Sequence, residues 1–183
     1  MVDLKLEGEL FEKVEKLTSK FPSIAEEVIK KSIRKSVNYM KLEEKKYMEK
    51  TYAITDKSLL TAKNLKVKAN SYEGKLIASS KKNDISQFKI SMTKPGKSPN
   101  FMKAGVLKST GLSTMRKMFW GFYKSGSKEP ALYIRNGEER YKISRVKTLG
   151  VSQMGLKIIT DKQEERLQEI FYKELSKKID EVL

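Results

Sequence analysis

Lys94, Lys97, Lys103, Lys108, Arg116 and Lys117 are the residues whose type and clustering could do chemistry in this chain, and that chemistry is electrostatic. They lie in the stretch Lys63 to Lys128, which holds fifteen Lys and Arg but only Glu73 and Asp84 as acids, a net +13. Met1 to Ala62 sums to only +2 and Glu129 to Leu183 to +1, so nearly all of the chain's +16 sits in its middle. A strongly anionic partner is expected to meet that segment, while the flanks read as solvated helices. Lysine outnumbers arginine there, which suits phosphate neutralisation and counterion release better than bidentate reading of base edges. Phe88, Phe101, Phe119, Trp120 and Tyr123 could stack on bases. The alternation of Phe88 with Ile90 and Met92 reads them first as core.

Carboxylates offer less. The adjacent pairs Glu26-Glu27, Glu43-Glu44, Glu138-Glu139 and Glu164-Glu165 point in different directions on a helix, and each has Lys or Arg nearby. Asp56, Asp84 and Asp161 stand alone at turn or cap positions. With no His and no Cys, imidazole bases, thiol nucleophiles and the common zinc sites are excluded. The glycines of Lys103-Ala104-Gly105 and Ser109-Thr110-Gly111 lack the spacing of a phosphate-binding loop. No catalytic, metal or cofactor-binding residue is assigned, and no cofactor is expected.

The elements that must carry the lysines follow from periodicity. Leu6, Leu10, Val14, Leu17 and Phe21 form a helical stripe that stops at Phe21-Pro22. Ser23 and Glu26 have capping-box spacing, which predicts a second helix from Ser23 to about Tyr52 with Ala25, Ile29, Ile33, Val37, Met40 and Tyr47 on its apolar face. Thr55-Asp56 predicts a further cap before Leu59 and Leu60. The period then changes to two: Leu65, Val67 and Ala69 alternate with lysines, and Tyr72-Glu73-Gly74 predicts a hairpin to Leu76-Ile77-Ala78. Strands are also predicted at Ala131 to Ile134 and Tyr141 to Arg145 across a two-residue Asn136-Gly137 turn. Thr93 to Thr114, with its Pro and Gly, reads as a long basic loop. From Gly155 the helical period returns through Leu167, Phe171, Leu175, Ile179 and Val182, with Thr160 and Gln163 suited to a cap.

This order predicts an α+β protein: long N-terminal helices, a small antiparallel β-sheet with an extended basic loop, and a C-terminal amphipathic helix. At 183 residues one domain is the default, helical over residues 1–62, a sheet over 63–148 that carries the loop 93–114, and helical again over 149–183. Hydrophobic residues make up 38% and charged residues 34%, a balance that suits a small core, an elongated shape or a fold completed by neighbouring subunits. No apolar run approaches the roughly 20 residues that span a bilayer, and the start lacks a signal-peptide pattern. A soluble product that stays in the compartment where it is made is expected.

In the C-terminal third, Phe119-Trp120-Gly121-Phe122-Tyr123-Lys124-Ser125-Gly126 is followed by Ala131-Leu132-Tyr133-Ile134-Arg135, Arg140-Tyr141-Lys142-Ile143 and Leu149-Gly150-Val151-Ser152-Gln153-Met154. This succession resembles the minor tail protein Z family of phages and prophages. In outline the likeness extends to residues 23–183, through a long helix, a short Asp-led helical turn near Asp56 to Ala62 and a lysine-rich sheet beginning Leu65-Lys66-Val67-Lys68. The chain departs from the family pattern in lacking prolines near Val151 and Lys142. The resemblance implies a non-enzymatic tail completion protein at the head-proximal end of a phage tail, contractile or not, or of a tail-like bacteriocin. It further implies a homo-oligomeric ring, commonly hexameric, needed for tail completion and head-tail joining. Tail terminator, tail tube or connector proteins would be its partners, no membrane is involved, and the protein would be assembled into the virion tail in the host bacterial cytoplasm. The six cations above would then face DNA in the tail lumen, non-specifically, or an acidic neighbour. The alternative is a free-standing non-specific nucleic-acid-binding protein. A metal-dependent nuclease would need a convergent acidic cluster that the sequence does not offer.

Overall fold

Apolar residues at helical spacing near the N-terminus produce the first helix, α1 (Glu9–Lys20), in the computed structural model, which describes residues 6, 8–91, 102–115, 117–121, 131–137, 142–155 and 161–182. The helix closes where the Phe21 N–H donates to the Leu17 carbonyl at 2.8 Å, one residue before proline. Helix α2 (Pro22–Thr51) follows, 30 residues long. Its start corrects the expected cap. Pro22 takes the first helical position, where its missing N–H is no loss, and the Phe21 carbonyl already accepts from the Ala25 N–H at 2.9 Å. Ser23 therefore lies inside the first turn. The buried face also differs from the expected stripe: Ala25, Ile33 and Val37 are buried as read, but they are joined by Val28, Ser32, Ser36 and Met48, while Tyr47 is exposed.

The chain, read as one domain from its length, carries two compact units. The first comprises Met1–Glu44, Leu65–Ala78 and Leu156–Leu183. Its core gathers Leu17 of α1, Val28, Ile33 and Val37 of α2, and Phe171, Leu175 and Ile179 of a C-terminal helix, Asp161–Asp180. Strands β1 (Leu65–Ala69) and β2 (Gly74–Ala78) form the predicted antiparallel hairpin, with Leu65 opposite Ala78 and Ala69 opposite Gly74. Asn70 Oδ1 accepts from the N–H groups of Tyr72 and Glu73 and so shapes the turn. Val67, Ala69 and Leu76 pack on the helical core, and Lys66, Lys68 and Lys75 face outward. Ion pairs tie the helices together at Lys13–Asp180 (3.1 Å) and Lys35–Glu174.

The second unit, Lys45–Asn64 with Ser79–Gly155, is built from short antiparallel strands. β3 (Lys82–Asp84) pairs with a late strand, Lys147–Gly150. β4 (Lys89–Ser91), β5 (Met102–Gly105) and β6 (Ser113–Met115) form a three-stranded sheet in that order. β7 (Met118–Gly121), β8 (Ala131–Arg135) and β9 (Ile143–Arg145) form another. Ile85, Met102, Ala104, Met118 and Leu132 are the buried centre, with Trp120 and Val146 packed against it. After β10 (Lys147–Gly150), helix α3 (Val151–Gly155) makes a short turn, and α4 (Asp161–Asp180) is the C-terminal helix of the first unit.

The α+β class is as expected, and several finer expectations are corrected. The strands form four small sheets among the described residues. The loop read over 93–114 contains β5 and the start of β6, because Met102 and Ala104 alternate with Lys103 and meet non-local partners on both sides. The Asn136-Gly137 connection is longer than two residues: the Asn136 N–H donates to the Lys142 carbonyl at 2.8 Å, and β9 begins only at Ile143. Residues 149–183 are not one helix, since Leu149 and Gly150 close a strand. Thr160 and Met92 lie outside the described residues.

Candidate functional site: a lysine-bearing sheet face

In β5 the alternation holds over residues 102–104, ahead of a buried Gly105. Met102 and Ala104 are buried, and Lys103 between them is exposed. Register places Lys103 opposite Ser91 on β4 and Thr114 on β6, so it stands mid-sheet on the outer face. Lys89 of β4 pairs with Gly105 and shares that face, two positions along. Lys108 follows β5, its N–H donating to the Thr51 carbonyl at 3.0 Å. Lys117 sits between β6 and β7 with φ 62, a left-handed conformation rare for a residue with a Cβ, and its carbonyl accepts from the Arg135 N–H at 3.3 Å. All four lysines are exposed.

Of the six cations singled out by sequence, Lys103, Lys108 and Lys117 are thus placed in the second unit, and Lys94, Lys97 and Arg116 lie outside the described residues. Lys89 was missed. Its signal was present, since it alternates with Phe88 and Ile90, but only strand pairing shows that it shares a face with Lys103. Lys66, Lys68 and Lys75 form a separate basic face on the β1–β2 hairpin of the first unit.

Of the aromatics read first as core, Phe88 and Trp120 are placed so, while Phe119 is half-buried. Phe88 is 1% exposed, and Trp120 packs against the buried centre. The Phe119 ring lies 6.1 Å from that of Tyr133, and the Arg135 guanidinium sits 5.5 Å over the Phe119 ring. Phe101 and Tyr123 lie outside the described residues.

The acids are used locally. Asp84 caps a short turn by accepting from the Ser86 N–H at 3.1 Å while its own N–H donates to Gln87, and Arg145 pairs with its other oxygen. Lys31 beside Glu27 (2.6 Å) holds that carboxyl below its usual range, and Lys35 does the same for Glu174. Glu44 differs: burial pushes its carboxyl up, and its Oε2 has no hydrogen-bond partner among the described residues. Glu138 and Glu139 lie outside the described residues. Among the described residues no three acidic side chains converge to hold a metal ion, and no helix is long and apolar enough to cross a membrane. What the lysine face can do is attract and hold an anion. No family model, curated protein or solved structure matches the chain.

Proposed function

We propose that this chain is a structural, non-enzymatic tail completion protein of a phage, prophage or tail-like particle, acting as a ring of copies at the head-proximal end of the tail. The observation that supports this reading is the order of elements along the chain. A long helix (α2), an Asp56-capped turn and a lysine-bearing hairpin (β1–β2) precede the paired strands β8 and β9 and the amphipathic α4, which is the succession of elements the family resemblance implies. The experiment is deletion of the gene in a phage or prophage that carries it. Complete tails that fail to join heads are expected, restored by the gene in trans. Normal joining without the protein would sink the reading.

A second reading, non-specific nucleic-acid binding, is favoured by the exposure of Lys89, Lys103, Lys108 and Lys117 in the second unit. It predicts retention of DNA by the isolated protein in a low-salt shift assay, falling steeply as salt rises. Charge reversal at Lys103 and Lys108 is then expected to abolish retention, and unchanged retention would count against it.

A further inference from the structure

Residues 51–55 drive a wedge into the sheet of the second unit. On one side the Ala53 N–H donates to the Val106 carbonyl (2.8 Å), and the Thr51 carbonyl accepts from Lys108. On the other the Ala53 carbonyl accepts from the Lys89 N–H (2.7 Å), and the Thr55 N–H donates to Gln87 (2.9 Å). The sheet therefore forks at the Lys89–Gly105 pair, where β4 and the continuation of β5 separate to admit the wedge.

Two glycines shape the fork. A Cβ on Gly105 would stand 2.3 Å from the Gly111 carbonyl oxygen, so only glycine lets the chain fold back this closely. Gly111 itself makes the reversal at φ 65. The result is a cleft of about 370 Å³. That lies within the roughly 300–1,000 Å³ range of ligand pockets. Ala53, Ile54, Leu107 and Leu112 give it apolar walls, Lys89 and Lys108 give it charge, and among the described residues no Asp or Glu lines it.

We propose that this cleft is a docking site for an acidic segment of a partner protein in which one apolar side chain is flanked by Asp or Glu. The carboxylates would meet Lys89 and Lys108, and the apolar side chain would cover Ile54, Leu107 and Leu112. The composition of the cleft argues against nucleic acid as its occupant. A phosphate backbone satisfies the lysines but leaves the apolar walls in water, and among the described residues no aromatic side chain lines the cleft to stack a base. A small inorganic anion leaves the same walls uncovered. This inference goes beyond the tail reading and does not depend on it.

The test uses the full chain and short fluorescein-labelled peptides in which Leu, Ile, Phe or Met is flanked on both sides by Asp and Glu, read by anisotropy at low salt. Companion peptides with Ser at the centre and an oligothymidylate serve as comparisons. At least one apolar-centred peptide is expected to bind about tenfold more tightly than its Ser-centred counterpart, the scale of burying one apolar side chain. Lys89→Glu with Lys108→Glu is expected to weaken it by a further factor of about ten or more, whereas Lys66→Glu with Lys68→Glu on the β1–β2 hairpin leaves it unchanged. Leu112→Ser, which alters no charge, is expected to erase the preference for an apolar centre, with circular dichroism checking that each variant folds. The proposal is overturned by absence of binding, by equal binding of apolar- and Ser-centred peptides, or by equal loss on reversal of Lys66 and Lys68. It is equally overturned if the oligothymidylate binds more tightly than every peptide and depends on Lys89 and Lys108.

Discussion

Gly74 stands directly against Val37: a Cβ built on the glycine would lie 2.5 Å from Val37 Cγ2 and 2.6 Å from Ile33 Cγ2. The β1–β2 hairpin is thus seated on α2 at the one residue of its second strand that has no side chain. Val37 and Ile33 are β-branched, stiff at χ1 and members of the buried core, so they cannot simply turn away. Gly74→Ala is expected to cost about 1–3 kcal/mol by overpacking. Urea unfolding followed by circular dichroism measures it, and an unchanged midpoint would show that the hairpin shifts freely on the helix.

Asp56 holds the start of the short turn Lys57–Leu60. Its carboxylate accepts from the Ser58 hydroxyl at 2.7 Å, the Ser58 N–H at 2.9 Å and the Gln87 amide at 3.3 Å. The Ser58 bonds, hydroxyl first, hold this carboxyl below its usual range. A lowered folded-state pKa contributes stability that is present above the unfolded value of about 3.9 and lost as pH falls through the folded value. Asp56→Ala is expected to cost about 1 kcal/mol at pH 7, and Asp56→Asn less, because asparagine also caps. Comparing unfolding at pH 7 and pH 3 tests the sign: the penalty of Asp56→Ala should shrink in acid.

How much of this was legible in the sequence depends on where each element finds its partners. α1 and α4 were readable because Leu17, Leu167, Phe171 and Leu175 are large, apolar and regularly spaced, and all are buried. The face of α2 was displaced because two of its buried positions, Ser32 and Ser36, are polar residues that apolar counting passes over. β5 was hidden in a stretch that reads as loop, because it is only four residues long, is flanked in sequence by Pro95, Gly96, Pro99 and Gly111, and is defined by its pairing with β4 and β6. β10 was hidden for a similar reason, since Lys147 finds Asp84 far along the chain. Lys103 and Lys108 could be chosen from charge alone. The cleft beside them could not, because its walls come from Ile54, Lys89, Gly105 and Leu112.

Among the described residues, Glu44 is the carboxyl that the first unit holds least comfortably. It lines one pocket with Tyr39, Met40, Glu43, Gln163 and Leu167, burial raises its pKa, and its buried Oε2 has no hydrogen-bond partner among those residues. A raised folded-state pKa contributes stability that is fully present below the unfolded value of about 4.3 and lost as pH rises through the folded value. Neutralising the group should therefore help where it is ionised. Glu44→Gln is expected to stabilise the protein at pH 7 by under about 1 kcal/mol, the unsatisfied-group penalty discounted for partial exposure. The gain should vanish below about pH 4, where the glutamate is itself protonated. Thermal unfolding at both pH values checks it, and a loss of stability at pH 7 would mean that the charge has a partner that offsets its burial.

Ser32 and Ser36 test whether α2 needs polarity or smallness on its buried face. Both are almost wholly enclosed, and their hydroxyls donate to helix carbonyls one turn back, Ser32 to Val28 at 2.9 Å and Ser36 to Ser32 at 3.2 Å. Those carbonyls belong to the regular α-helical ladder, so removing the hydroxyl orphans no acceptor, and alanine is the better helix former. Ser32→Ala is expected to change stability by less than about 1 kcal/mol. Ser32→Leu keeps the helix but adds volume to a position with none to spare, and should cost about 1–3 kcal/mol or more. Chemical denaturation of the two variants separates the explanations. A large penalty for alanine would show that the hydroxyl bond matters, whereas a penalty confined to leucine assigns the serine to close packing.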